Sequence, residues 1–264
     1  MIISQLSLKG FYAICRVLLF YIISIVIFAT SSGVTKNVFL GDQLSFLIST
    51  ILTFLLVVLF AKWEKLPLKD VGLIPYKSSL LRFSSGFGIS VVMVVVEVLI
   101  ITNFAKVKFS FAPHIPPINV ITSLILFLLV ACREELVFRS YSLRSLANSL
   151  NPIIALVIMT TIFIIEHVIA GMSWKMAVLG PGFGGILFGI SALKTRGLAL
   201  PLGLHFSWNF MQWLLGFKNN SGVWREIVEK GHESQAENIA LAAFVFVMSA
   251  TIVGIWQFYT RKES

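Results

Sequence analysis

The chain has 264 residues, 57% of them hydrophobic and only 12% charged, with a mean hydropathy of +0.91. Soluble domains are about half apolar and about a quarter charged, so this balance excludes a soluble globular protein and predicts an integral membrane protein. The formal net charge of +9 would suit a nucleic-acid partner, but the basic residues are scattered between apolar runs rather than gathered on a soluble domain, which speaks against that class.

Spanning a hydrocarbon core takes about 20 apolar residues in a helix. Runs near that length fall at 11–30, 43–61, 83–104, 119–138, 152–171, 176–193, 197–216 and 236–258. The expected fold is therefore all-α, a polytopic membrane protein of about eight transmembrane helices around an intramembrane cavity. Lys9 precedes the first run, which ends at Ala29-Thr30-Ser31-Ser32-Gly33 like a signal peptide. Its apolar length exceeds the roughly 7 to 15 residues of a signal h-region, so it reads as a retained helix. The third run holds the isolated carboxylate Glu97, either a proton-handling group or a partner for a neighbouring helix. The fourth passes from a short apolar stretch at 120–131 straight into Arg133, Glu134, Glu135 and Arg139. Gly180-Pro181-Gly182 and Gly184-Gly185 predict a broken or tightly packed sixth helix.

No repeat or long linker divides the chain, which reads as one membrane domain over 1–264 with a core at 119–216; its longest hydrophilic stretches are 62–82 and 218–235. Cys15 and Cys132 both lie in or beside apolar runs and read as packing residues. With the N-terminus inside, thirteen Lys and Arg fall on the cytoplasmic side and seven opposite, Arg16 lying within the first run. The positive-inside rule then predicts cytoplasmic termini. His114 and His232 fall in loops and are given no role.

Three patterns place ionisable and polar side chains inside apolar segments: Glu134-Glu135-x-x-x-Arg139, Phe163-x-x-x-His167 and His205-x-x-x-Asn209. Charges at membrane depth are costly, so such groups are expected to face one another across an interior cavity. Glu135 and Arg139 lie one helical turn apart and can pair, whereas Glu134 points about 100° away from Glu135. If Arg139 neutralises Glu135, Glu134 is the carboxylate left for general-base chemistry. The alternative is an ordinary interfacial cluster at a helix end. His167 taken alone suits a structural hydrogen bond as well as catalysis. His205 and Asn209 share one helix face, as a ligand pair or oxyanion-binding pair would, and also as an interhelical hydrogen-bond pair would.

Taken together and in this order, the three motifs resemble the CPBP intramembrane metalloproteases, the family of CAAX prenyl endopeptidases, bacteriocin-processing or immunity proteins and Abi proteins. Lys69-Asp70-Val71-Gly72-Leu73 also looks like a Leu-Gly-Leu-type element that often precedes the core of that family. The resemblance implies a helical bundle that hydrolyses a peptide bond with an activated water. By motif position, Glu134 would be the base, assisted by His167. His205 and Asn209 would stabilise the oxyanion, and Glu135 and Arg139 would order the site. Zinc is a possible cofactor, with Glu134, His167 and His205 as its ligands; a metal-free site would use the same side chains. Glu166, beside the motif histidine, stands where a small or apolar residue is expected, either as a partner to the site or as a residue reaching the interface.

Three classes of function compete on these residues. The first is an intramembrane endopeptidase acting on a membrane-associated peptide or protein. The second is a non-proteolytic partner, such as a bacteriocin-immunity or scaffold protein, and the third a transporter with a carboxylate and histidine relay. No inverted repeat supports the transporter. The expected setting is the lipid bilayer of a bacterial inner membrane, with no nucleic-acid partner.

Overall fold

The computed structural model describes residues 8–113, 115–218 and 221–259. His114, Arg261 and Lys262 lie outside the described residues. The helices are α1 (Leu8–Thr35), α2 (Gly41–Trp63), α3 (Ser79–Phe104), α4 (Pro117–Glu135), α5 (Ser142–Ser149), α6 (Pro152–Ile169), α7 (Trp174–Thr195), α8 (Ala199–Leu214) and α9 (Glu233–Phe258). A π-helical segment, Leu136–Tyr141, joins α4 to α5. Strands β1 (Val107–Phe111) and β2 (Trp224–Val228) pair antiparallel, Val107 opposite Val228 and Phe111 opposite Trp224.

An all-α polytopic architecture is what the composition predicts. All eight expected runs are helical, and six of the helices, α1, α2, α3, α6, α7 and α9, are long and apolar enough to cross a membrane. The two runs carrying Glu134/Glu135 and His205/Asn209 became the 19-residue α4 and the 16-residue α8. Large apolar side chains such as Ile22, Leu55, Val92 and Ile153 are more than half exposed on the outside of the bundle. Water would penalise such a surface, and lipid does not.

Small residues set the closest helix crossings. Gly86 of α3 lies against the backbone of Leu200 and Leu204, and Gly203 of α8 lies against the backbone at Phe83 and Phe87. At this separation Ser90 Oγ donates to the Leu204 carbonyl at 2.7 Å and Ser207 Oγ donates to the Phe87 carbonyl at 3.0 Å. In lipid, where apolar burial drives little association, close backbones and interhelical hydrogen bonds hold helices together. The glycines of α7 act in the same way: Gly185 meets Thr160 and Gly189 meets Leu156, both on α6. α7 runs unbroken through Pro181, so of the two expectations for this helix the tightly packed one applies.

Isolated charges in the spans find partners. Arg16 pairs with Glu64 at 3.0 Å, and Glu64 also accepts hydrogen bonds from Tyr141 Oη and Ser145 Oγ. Glu97 accepts from Gln212 Nε2 at 2.7 Å, which joins α3 to α8 as the helix-partner reading of this carboxylate expects. Cys15 is exposed on α1 and Cys132 is half-buried; both are free thiols.

Candidate active site

α4 does not end at its acidic pair. The helix continues into the π-helical segment, where Ser140 departs from helical geometry with ψ −112°. The Ser140 hydroxyl donates to the Val71 carbonyl, and Gly72, with φ +78°, turns the chain there against Leu198. The 69–73 element thus braces the irregular turn directly after Glu135. π-helical turns concentrate at functional sites because the extra residue per turn redirects side chains.

Glu135 and Arg139 are both buried, with side-chain exposures of 1% and 3%, and the Arg139 guanidinium lies 3.6 Å from Glu135 Oε1. Arg139 also stacks on three rings, at 4.7 Å from Phe163 and 5.4 Å from both Phe138 and Phe188. One cation therefore binds the π-helical segment to α6 and α7. The same Glu135 oxygen lies 2.8 Å from His205 Nδ1. Because a carboxylate only accepts, Nδ1 carries the proton and donates, which directs Nε2 the other way. Nε2 faces Glu134 Oε2 at 3.7 Å, beyond hydrogen-bond length. Phe188 stacks on the His205 ring at 4.5 Å and 14°, fixing its plane.

His167 is arranged in a similar way. Its Nδ1 is 2.9 Å from the Phe163 carbonyl one turn earlier, so Nδ1 donates and Nε2 is free to accept. Glu134, His167, His205 and Asn209 all line one cavity of about 270 Å³, bordered by Phe188 and by Lys218. The four polar residues expected to face one cavity therefore line a common one. Glu135 and Arg139 stand behind them, out of the cavity lining. A second, apolar groove of about 380 Å³ lies behind α4, where Glu135 and Cys132 meet Phe54 and Leu202.

Among the described residues, no three His, Cys, Asp or Glu side chains are grouped closely enough to hold a metal ion. Glu134, His167 and His205 share a cavity without forming a ready ligand set.

Several neighbours of the site were not readable as such from sequence. Lys218, one of the seven Lys and Arg assigned opposite the cytoplasmic side, holds its ammonium 5.4 Å over the Phe127 ring at the cavity. Phe188 carried no signal beyond its apolarity. Glu166 did carry one, as a carboxylate beside a motif histidine, and it pairs with Arg133 at 3.2 Å.

Fold and site define a polytopic helical membrane protein with a carboxylate and histidine cavity between its helices. Residues 116–211 match the family model described as Rce1-like, type II CAAX prenyl endopeptidase Rce1-like. That segment contains all seven named residues of the three motifs and bears out the resemblance to the CAAX protease family. In general terms, the match supports a peptidase in a membrane. No curated protein matches the chain.

Proposed function

We propose that the chain is an intramembrane endopeptidase that hydrolyses a peptide bond of a membrane-associated substrate with a water activated by Glu134. The carrying observation is the convergence of Glu134, His167, His205 and Asn209 on one cavity, with Arg139 committed to Glu135 and not to Glu134.

In this mechanism Glu134 takes a proton from water while the free Nε2 of His167 accepts a hydrogen bond from the same water and orients it. The water oxygen bonds to the carbonyl carbon, and the carbonyl oxygen becomes an oxyanion. Asn209 Nδ2 donates to it. His205 donates from Nε2 only as an imidazolium, because its Nδ1 proton is already given to Glu135. The tetrahedral intermediate collapses, the carbon–nitrogen bond breaks, and the leaving amine takes the proton held by Glu134. Glu135 and Arg139 hold His205 in its plane throughout. A membrane-embedded cavity keeps bulk water away from these charges, which strengthens each interaction.

The proposed substrate class is that of the matched family, a CAAX prenyl endopeptidase. The proposed setting, a bacterial inner membrane with cytoplasmic termini, rests on the distribution of Lys and Arg between the apolar runs. We keep the whole chain as one domain, with 119–216 as its catalytic core. The test is cleavage of a pooled peptide library by detergent-purified protein, run beside metal analysis of the parent and of Glu134→Ala and His205→Ala. Cleavage that needs Glu134 without stoichiometric metal is the expected result. Stoichiometric zinc lost in both variants, with metal-dependent cleavage, would replace this mechanism by the zinc one. A parent that cleaves no peptide would overturn the peptidase reading in favour of a partner or scaffold protein.

A further inference from the structure

Arg133 and Glu166 each stand one residue before a proposed catalytic residue, Glu134 and His167. They form an ion pair at 3.2 Å between α4 and α6. Tyr21 of α1 donates its hydroxyl to the other Glu166 oxygen at 2.8 Å, and the Arg133 guanidinium lies 4.6 Å over the Phe28 ring, also on α1. Arg133 is 2% exposed; its Nη1 makes the contact with Glu166, and its Nε and Nη2 have no hydrogen-bond partner. A guanidinium buried this deeply is retained only where its charge is answered, and Glu166 answers it.

The location of this cluster gives it a use. α4 packs mainly against α2 and α8, and α6 mainly against α5 and α7. Glu134 and His167 must nevertheless act on one water from these two helices. Ring contact between Phe138 and Phe163, 4.7 Å apart, ties the helices on the π-helical side. The Arg133–Glu166 pair ties them directly beside the reacting groups. Successive helix residues point about 100° apart, and neither Arg133 nor Glu166 lines the cavity. The pair is turned toward α1 while Glu134 and His167 turn to the cavity.

We infer that Arg133, Glu166 and Tyr21 form a positioning clamp that sets the separation of Glu134 and His167. They touch no substrate and act through the two helices. The inference rests on the proposed peptidase reading for its kinetic consequence only; the clamp itself is a statement about helix geometry.

The test uses the double variant Arg133→Met/Glu166→Met in the full chain. Replacing both members of a buried ion pair with apolar side chains of similar size is often neutral or stabilising, so the expected protein is folded with a parental melting temperature. Its kcat is expected to fall on the order of 10- to 100-fold with KM little changed, as sub-ångström to ångström misplacement of reacting groups does. Glu166→Gln, which preserves packing, should shift kcat in the same direction and serves if the double variant does not fold. The second readout needs no activity: spin labels at Leu124 on α4 and Ile165 on α6, with Cys15 and Cys132 changed to Ala, should give a broader distance distribution in the variants than in the parent. A stable variant with parental kcat and an unchanged distribution overturns the clamp. A parent that cleaves no peptide defeats the peptidase reading instead, and the distance distributions still decide the clamp.

Discussion

Replacing His205 with alanine is expected to abolish measurable turnover, a loss of about 10³-fold or more when a donor to the developing charge and its geometry are removed together. The ring bridges two carboxylates: Nδ1 is 2.8 Å from Glu135 and Nε2 is 3.7 Å from Glu134. Alanine leaves both facing an empty space bounded by Phe188. His205→Ala thus removes an oxyanion donor and the group that separates two negative charges. Asn209→Ala removes a single donor and should cost less, on the order of 10² to 10³ in kcat. Steady-state kinetics on one cleavable peptide compares the two, and equal losses would contradict the asymmetric roles given to them.

The second large effect concerns folding. Arg139→Ala leaves Glu135 buried with its counter-charge gone, and breaking such a pair from one side costs roughly 3–5 kcal/mol. The ring contacts to Phe138, Phe163 and Phe188 vanish with it, so the π-helical segment loses its link to α6 and α7. Thermal unfolding in detergent should show a marked drop in melting temperature and, in membranes, lower abundance. An Arg139→Ala protein as stable and active as the parent would contradict the pairing.

Much of the site was legible because chemistry that is costly in lipid stands out in an apolar sequence. Glu134, His167, His205 and Asn209 stood out through the combination and order of their motifs, each of which alone had a structural alternative, and the spacing of Glu135 and Arg139 already implied their contact. What could not be read was set by contacts between distant residues. The π-helical turn depends on Ser140 reaching the Val71 carbonyl, 69 residues away. Tyr21 reaches Glu166 across 145 residues, and only the oddity of a carboxylate beside His167 hinted at a partner. The β-ribbon was missed although Val107-Lys108-Phe109-Ser110-Phe111 alternates as a strand should, because five residues between two long apolar runs read as a loop. α4 and α8 look like spans by hydropathy, as α6 does, and at 19 residues α4 is longer than the 18-residue α6, so length alone did not separate the helices that present the polar groups.

The central claim, that the Glu134 carboxylate drives hydrolysis in a membrane cavity, is tested most directly by Glu134→Gln reconstituted in liposomes beside the parent. Glutamine keeps the size and polarity of the side chain and removes only its ability to take a proton. The account predicts equal folding and membrane abundance, peptide cleavage by the parent, and a loss of about 10² to 10⁴ in turnover for the variant. Cleavage by Glu134→Gln at the parental rate would contradict it.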